Sequence, residues 1–289
     1  MKTSKLVTGA LALIVPATFC FTGCSFGLFN SFSYQYENGE KYTAGDREID
    51  DEITKINIDY VSGNVKVKGA DTDRVEVSET SNHQLDSDHQ VHTWVDGDTL
   101  YVRYCVSTKM INFNKIDKSL EITLPSDREL DDFIIEVSSG DINLDGFATG
   151  NLNTRSSSGN VVIDCSASDM EVKASSGNIT LSQNGNSNSL KVKASSGNIN
   201  INWDGDCNTF DIDSSSGKIN IEQKGLIGMA KIRSSSGGVS AVMGTVDTLD
   251  INVSSGKILL DADEVNNLST KASSGHSDII LDKVPETSD

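Results

Sequence analysis

A Ser-Gly pair recurs along most of this chain at a nearly fixed interval. The glycines of these pairs are Gly63, Gly140, Gly159, Gly177, Gly197, Gly217, Gly237, Gly256 and Gly275. From Gly140 onward, successive glycines are 18 to 20 residues apart. A repeat of this length is typical of a solenoid, in which each repeat forms one coil that stacks on the coil before it.

Each repeat alternates apolar or small residues with polar residues on both sides of its glycine. Around Gly177 the apolar or small positions are Met170, Val172, Ala174, Ser176, Ile179 and Leu181. This period of two predicts two strands joined at a glycine corner. Stacking such coils about 4.8 Å apart buries their apolar side. The sequence therefore predicts an all-β fold, a single-stranded parallel β-solenoid (β-helix) with about 20 residues per coil and an inward serine column beside each corner.

The same register predicts two rows of charged residues on the outside of the coils. The first row comprises Glu171, Lys191, Asp211, Lys231 and Asp250, and the second comprises Lys173, Lys193, Asp213 and Arg233. The signs alternate along the first row, so a slip in register would place like charges together. These rows are a candidate binding face. They are equally explained as pairs that fix the register, each contributing about 0–1 kcal/mol.

The N-terminus has the pattern of an export signal. Lys2 and Lys5 precede an apolar run from residue 6 to 21, which is short for a membrane-spanning helix. Thr22-Gly23-Cys24 then resembles a bacterial lipobox. We predict a lipoprotein signal peptide over residues 1–23, lipidation of Cys24, and a flexible tether over 24–48. An ordinary secretory signal is the alternative, and both interpretations place the protein outside the cytoplasm.

The rest of the chain predicts one elongated domain over residues 49–284, followed by a short tail, 285–289. The 77 residues that separate Gly63 from Gly140 keep only an irregular alternation. We expect degenerate coils there that also cap the N-terminal end of the solenoid, because an open end would expose an unpaired edge. The segment 104–118 breaks the pattern and is predicted to be an insertion loop.

Charge and cysteine content restrict the possible partners. The chain has a formal net charge of −18. Loss of residues 1–23, which contain two lysines and no acidic residue, gives −20. This charge argues against nucleic acid and favours a basic protein surface, or a polymer bridged by cations, at the envelope. Cys105, Cys165 and Cys207 lack metal-site spacing and are predicted to be buried free thiols.

Several segments resemble the bacterial adhesin-like β-strand-repeat family over about residues 50 to 284. They are Ile56-Asn57-Ile58, Ser62-Gly63-Asn64-Val65, the strand Leu120-Glu121-Ile122-Thr123-Leu124-Pro125, and Val137-Ser138-Ser139-Gly140-Asp141-Ile142. The resemblance implies a protein anchored at the envelope, in some members associated with envelope-stress signalling. It supplies no catalytic residue, and a shared fold alone does not define an activity.

Two groups of residues could carry chemistry. His83, His89 and His92, with Asp86 and Asp88 between them, are weak metal-ligand candidates because their spacing matches no known motif. Trp94 and Trp203 are isolated in the sequence, and Trp203 continues an inward phase. A polysaccharide-processing enzyme would need a groove with carboxylates, basic residues and sugar-stacking aromatic residues, and aromatic residues are sparse in this chain. We expect no cofactor.

The sequence therefore predicts a lipid-anchored, extracytoplasmic and non-catalytic scaffold with an interaction or adhesion-like role. An accessory protein of envelope-stress signalling is the first alternative. A β-helix enzyme that processes polysaccharides is the second.

Overall fold

The computed structural model of the protein describes residues 31–112, 116–283 and 287–288. Its strands are β1 Ser31–Tyr34, β2 Thr43–Ala44, β3 Arg47–Ile49, β4 Lys55–Ser62, β5 Val65–Ala70, β6 Val75–Ser81, β7 His92–Asp96, β8 Thr99–Arg103, β9 Thr108–Asn112, β10 Lys118–Pro125, β11 Glu129–Ser139, β12 Ile142–Ser158, β13 Val161–Ser176, β14 Ile179–Asn184, β15 Ser187–Ser196, β16 Ile199–Asp204, β17 Cys207–Ser216, β18 Ile219–Ser236, β19 Val239–Ser255, β20 Ile258–Ser274, β21 Ser277–Lys283 and β22 Thr287–Ser288. The one helix in these ranges is a 3-10 turn, Gly39–Lys41. None of the described helical structure is long and apolar enough to cross a membrane.

The coils stack as a parallel solenoid, which confirms the predicted fold class. Ile199 lies beside Ile179 on one side and Ile219 on the other, and all three side chains are buried. On the other side of the corner, Val192 lies between Val172 and Ile212. Such columns of similar residues run through the core, so each coil covers the apolar side of the next. Trp203 faces inward as predicted, and its ring packs edge-on against Phe210.

The glycine corners stack closely on one another. Gly197 has a φ of +115°, and a Cβ atom there would lie 2.0 Å from the carbonyl oxygen of Gly177. Both the backbone angle and the lack of space therefore require glycine. Beside this corner the side-chain oxygen of Asn160 accepts a hydrogen bond from the Asn178 amide, and Asn178 does the same for Asn198. The run of asparagines after the glycines thus forms a ladder that fixes the corner.

The serines directly before the corner glycines differ from the prediction. Ser176, Ser196 and Ser216 are exposed, although the alternation predicted an inward column. The strand turns outward at its last two residues, so the burial pattern ends after Ala174. The buried serines are instead in the Ala174 column, where Ser214 is fully buried.

The segment between the first glycine corner and Gly140 contains one degenerate coil. Strand β8 pairs in parallel with β4, and β10 pairs in parallel with β5. Strands β11 and β12 occupy the opposite edges of β4 and β5. The chain therefore forms the coil of β4 and β5, moves outward to form an outer coil from β8 and β10, and crosses back after Pro125 to continue the stack.

This outer coil is part of an N-terminal cap that closes the first end of the stack. The cap consists of β1–β3 and β6–β10, where β6 pairs antiparallel with β10 and with β3, and β7 with β8 and β2. The segment 104–118, predicted to be a loop, contains β9, which pairs antiparallel with β1. The described part of the predicted tether is folded as well, since Tyr34 is 1% exposed and lies in the core.

A buried ion pair holds the cap together. Lys118 Nζ lies 2.8 Å from Glu79 Oε1, and the two side chains are 0% and 4% exposed. Lys118 also donates to the carbonyl oxygens of His89 and Tyr104, and its ammonium lies over the Tyr104 ring. Tyr60 donates its hydroxyl to Glu79. Burial lowers the pKa of Lys118, and the Glu79 carboxylate opposes that effect.

Candidate binding face

The outward side of one sheet forms a continuous surface, which we call the charged face. It is made by β8, β4, β11, β12, β13, β15, β17, β18, β19 and β20, each paired in parallel with the next. Because neighbouring strands are in register, outward side chains at equivalent positions form rows across the strands. The two charged rows predicted from sequence lie here.

The predicted order of the first row is confirmed. Glu171 lies beside Lys191, which lies beside Asp211, and the row continues through Lys231 to Asp250. The Glu171 carboxylate contacts Lys191 at 3.1 Å and Lys173 at 2.8 Å. Partial burial raises the pKa of Glu171, but these two ammonium groups outweigh it and the pKa is lowered. The first row therefore largely neutralises itself.

The second row has a different charge pattern. Arg155 lies beside Lys173, which lies beside Lys193, so three basic residues follow one another on adjacent strands. Glu136 and Asp213 lie at the two ends of this run. The sequence analysis did not include Arg155 in this row. Arg155 nevertheless has the spacing of the row, because it stands four residues before Gly159, as Lys173 does before Gly177. Neither Arg155 nor Lys193 has an ion pair within the part of the chain that the structure describes.

These three basic residues line a shallow groove of about 390 Å³, which we call the basic groove. Exposed serines line the other side of it, one from each coil: Ser157, Ser175, Ser195 and Ser215. The groove is therefore a polar surface on which a cation and a hydroxyl recur on three successive strands, β12, β13 and β15, and Glu136 and Asp213 line its two ends. Its local charge is opposite in sign to the charge of the whole chain.

An aromatic platform lies at the cap end of the charged face. It comprises Tyr36, Tyr42, Trp94 and Tyr101, all partly exposed. Trp94 stacks on Tyr101 with ring centroids 5.3 Å apart, and the ring centroid of Tyr42 lies 5.6 Å from that of Trp94. The guanidinium of Arg103 lies over the rings of all three tyrosines of the platform. Trp94 is isolated in the sequence but joins an aromatic cluster in the fold, and no interval in the sequence indicates this cluster.

The histidine candidates do not form a metal site in the described residues, where no group of three metal-ligating side chains occurs. His92 is 5% exposed, and its Nδ1 lies 2.9 Å from the carbonyl oxygen of Gln90. His89 is paired with Asp86 instead, at 2.5 Å. His83 is exposed. The lipidation candidate, Cys24, lies outside the described residues.

The three cysteines after Cys24 are free and buried, as predicted. Burial raises the pKa of the Cys105 and Cys165 thiols to about 12 and also raises that of Cys207. A thiol that holds its proton is a poor nucleophile and a poor metal ligand. These cysteines therefore act as small core residues.

A family model described as Toastrack DUF4097 matches residues 53–165 and 164–288. The chain belongs to the Toastrack DUF4097 family. The two matches cover most of the solenoid and join in β13, so this Toastrack chain carries two successive copies of the family pattern along one continuous stack. The finding agrees with the resemblance that the strand-repeat motifs indicate.

No curated protein matches the chain. The solved structures that are similar to it include two crystal structures. A "putative adhesin" of Bacteroides fragilis has 19% sequence identity and a TM-score of 0.43, with 81% of this chain and 96% of that chain covered. A "putative cell adhesion protein" of Clostridium sporogenes has 11% identity and a TM-score of 0.31, with 83% and 100% covered. Likeness at this level carries no information on a binding partner.

Proposed function

We propose that this Toastrack protein is a non-catalytic scaffold at the cell envelope, and that it binds a partner through the charged face in an adhesion-like role. The observation that supports this proposal is the continuity of that face. Ten strands in register present aligned rows of side chains from Tyr101 at the cap to Lys271 in β20. Repeat proteins commonly bind partners along extended surfaces of this kind.

The binding test compares two charge reversals of equal size. Lys191→Glu with Lys231→Glu recharges the first row, and Lys218→Glu with Lys257→Glu makes the same change at the glycine corners, off the face. Isolated envelope fractions are titrated with each purified variant. We expect the first variant to lose at least fivefold in affinity and the corner variant to bind like the wild type. Equal binding by both would contradict the proposed face.

The non-catalytic part of the proposal has its own test. The purified chain is incubated with cell-wall and capsule polysaccharides, and the products are sized by chromatography. We expect no change in chain length. Shortening of a polysaccharide, abolished by replacing a single carboxylate residue, would show that the protein is a β-helix enzyme instead.

The location outside the cytoplasm and the lipid anchor belong to the same proposal and rest on the sequence of residues 1–24. Cys24→Ala should release the protein from the membrane fraction or leave an uncleaved precursor, because the thiol is the site of acylation. Ser25→Ala is the matched control and should leave the protein membrane-bound. Mass spectrometry that finds an unmodified mature N-terminus at another residue would rule the anchor out.

A further inference from the structure

The basic groove departs from the charge pattern of the rest of the chain. With a formal net charge of −18, the chain repels acidic partners over most of its surface. In the groove, however, Arg155, Lys173 and Lys193 follow one another on adjacent strands without an acidic residue between them in their row. Glu136 and Asp213 line the two ends of the groove, so its three basic and two acidic residues sum to a formal charge of +1. Screening at physiological ionic strength limits the effect of more distant charges to about 8 Å, so the groove acts locally as a weakly cationic site.

The pairing of these three residues shows which of them are available to a ligand. Lys173 is bound to the Glu171 carboxylate at 2.8 Å. Arg155 and Lys193 are exposed and have no ion pair among the described residues. Their charges therefore lie one on each side of the partly neutralised Lys173. Glu136 and Asp213 flank the two cations in the row, but neither carboxylate forms an ion pair with them. Arg155 and Lys193 lie two strand spacings or about 10 Å apart, so two cations without an ion pair form a line across the strands.

The groove is also periodic, and this restricts the shape of its ligand. Three successive coils contribute the same polar elements, a basic side chain of the second row and an exposed serine two residues later, such as Lys173 with Ser175 and Lys193 with Ser195. A ligand with a regular repeat can make the same contacts at each coil, whereas a peptide of irregular sequence cannot. Hydroxyl groups beside the cations suit a ligand that itself carries hydroxyls as well as negative charges. An apolar segment would find no pocket for its side chains here.

We propose that the basic groove binds a linear acidic polysaccharide, laid across the strands with its carboxylates at Arg155 and Lys193 and its hydroxyls at the serines. This inference rests on the proposed function, because the groove is part of the charged face. It names the class of partner that the face receives. The net charge of the whole chain favours a basic partner. For the groove, the inference proposes an acidic ligand instead.

The experiment uses the full chain and three immobilised polymers: polygalacturonate, neutral dextran and polyphosphate. The groove variant carries Arg155→Gln and Lys193→Gln. The matched control carries Lys218→Gln and Lys257→Gln, the same change in net charge at corner positions. All four residues are exposed, so both variants should fold, and equal melting temperatures verify this. We expect polygalacturonate binding at 50 mM salt, a loss of at least tenfold in the groove variant, and less than a twofold change in the control.

Two further measurements identify the chemistry of the ligand. Raising the salt concentration from 50 to 200 mM should weaken polygalacturonate binding by about tenfold, because a few ion contacts release their counterions. Ser175→Ala with Ser195→Ala should weaken polygalacturonate binding several-fold and leave any polyphosphate binding unchanged. Polyphosphate that binds as tightly as polygalacturonate and is insensitive to the serine changes would overturn the assignment to a polysaccharide.

The remaining outcomes separate this inference from the proposed function. Polygalacturonate binding no stronger than dextran binding, or equal losses in the groove and corner variants, would overturn the inference. If envelope fractions still require Lys191 and Lys231 in that case, the scaffold proposal stands with a different partner. If the first-row and corner variants also bind envelope fractions equally, the charged face is not a binding surface.

Discussion

In the coils from β12 to β20, most core side chains pack on similar side chains one coil away, whereas in the N-terminal cap unlike side chains meet from distant segments. Ile199 between Ile179 and Ile219 is typical of the coils. In the cap, Lys118 reaches Glu79, which is 39 positions earlier in the chain. The coils are therefore stabilised by many equivalent apolar contacts, whereas the cap combines its own apolar core with polar contacts, such as Lys118 with Glu79, that depend on specific partners.

This difference predicts how each region responds to substitution. A change in one coil removes contacts of a kind that the neighbouring coils still make, so its effect depends mainly on burial. A change in the cap leaves a specific partner without its contact, so its effect depends on what that partner is. The predictions below test this contrast, beginning with the largest expected effect.

Ile199→Asp should be the most destabilising change in the coils. It places a carboxylate in a fully buried column between the apolar residues Ile179 and Ile219. We expect a loss of about 5 kcal/mol in the free energy of unfolding, which would unfold a domain of ordinary stability. Asn200→Asp, the next residue on the opposite side of the same strand, should change it by less than 0.5 kcal/mol. Equal urea midpoints for the two variants would mean that the inward assignment is wrong.

The column that contains Ile199 could be predicted from sequence because a fixed repeat places similar residues in contact. The serine column beside the corners could not, because the backbone at each glycine turns Ser176 outward in a way that simple alternation does not describe. Arg155 could have been found, since it occupies a row position that the repeat defines. The aromatic platform could not, because the positions of Tyr36, Tyr42, Trp94 and Tyr101 follow no period.

Lys118→Met should be the most destabilising single change in the cap. It leaves the Glu79 carboxylate buried without its cation, which typically costs about 3–4 kcal/mol. Adding Glu79→Gln should recover part of this loss, because the amide can still bond to the Tyr60 hydroxyl and the Val91 amide. Chemical denaturation of the two single variants and the double variant measures the coupling. A double variant that is less stable than Lys118→Met alone would contradict the explanation.

Glycine is required at the corners for two reasons, the positive φ angle and the close approach of the next corner. Comparing Gly197→Ala with Gly185→Ala should separate their effects. A Cβ atom at Gly197 would clash with the Gly177 carbonyl oxygen at 2.0 Å, whereas a Cβ atom at Gly185 meets nothing within 4 Å. Both glycines have positive φ, +115° and +110°, so both substitutions carry similar backbone strain. We expect Gly197→Ala to be about 2 kcal/mol more destabilising than Gly185→Ala in thermal unfolding. Equal shifts in melting temperature would show that close stacking of the corners adds nothing to the requirement.

The smallest expected effect lies at the junction of the two regions, where Asp59 of the first coil meets Arg103 of the cap. Burial raises the pKa of Asp59 to about 6, with Arg103 opposing the shift and Glu136 adding to it. The folded state therefore holds a proton that the unfolded chain releases near pH 4, and Asp59 contributes stability at low pH that is lost as the pH rises through about 6.

Asp59→Asn removes this titration. The free energy of unfolding of the variant, relative to that of the wild type, should therefore rise by roughly 1–2 kcal/mol between pH 4 and pH 7. This value is below the full conversion of the pKa shift, because the side chain is partly exposed and solvent screens it. Asp127→Asn, at an exposed aspartate in the turn before β11, is the matched control and should follow the wild-type curve. Denaturant midpoints for the three proteins across this range measure the difference. A difference in denaturant midpoint between Asp59→Asn and the wild type that stays constant across the pH range would mean that the cap does not bury Asp59 in solution. In that case the cap contacts the first coil less closely than the coils contact one another.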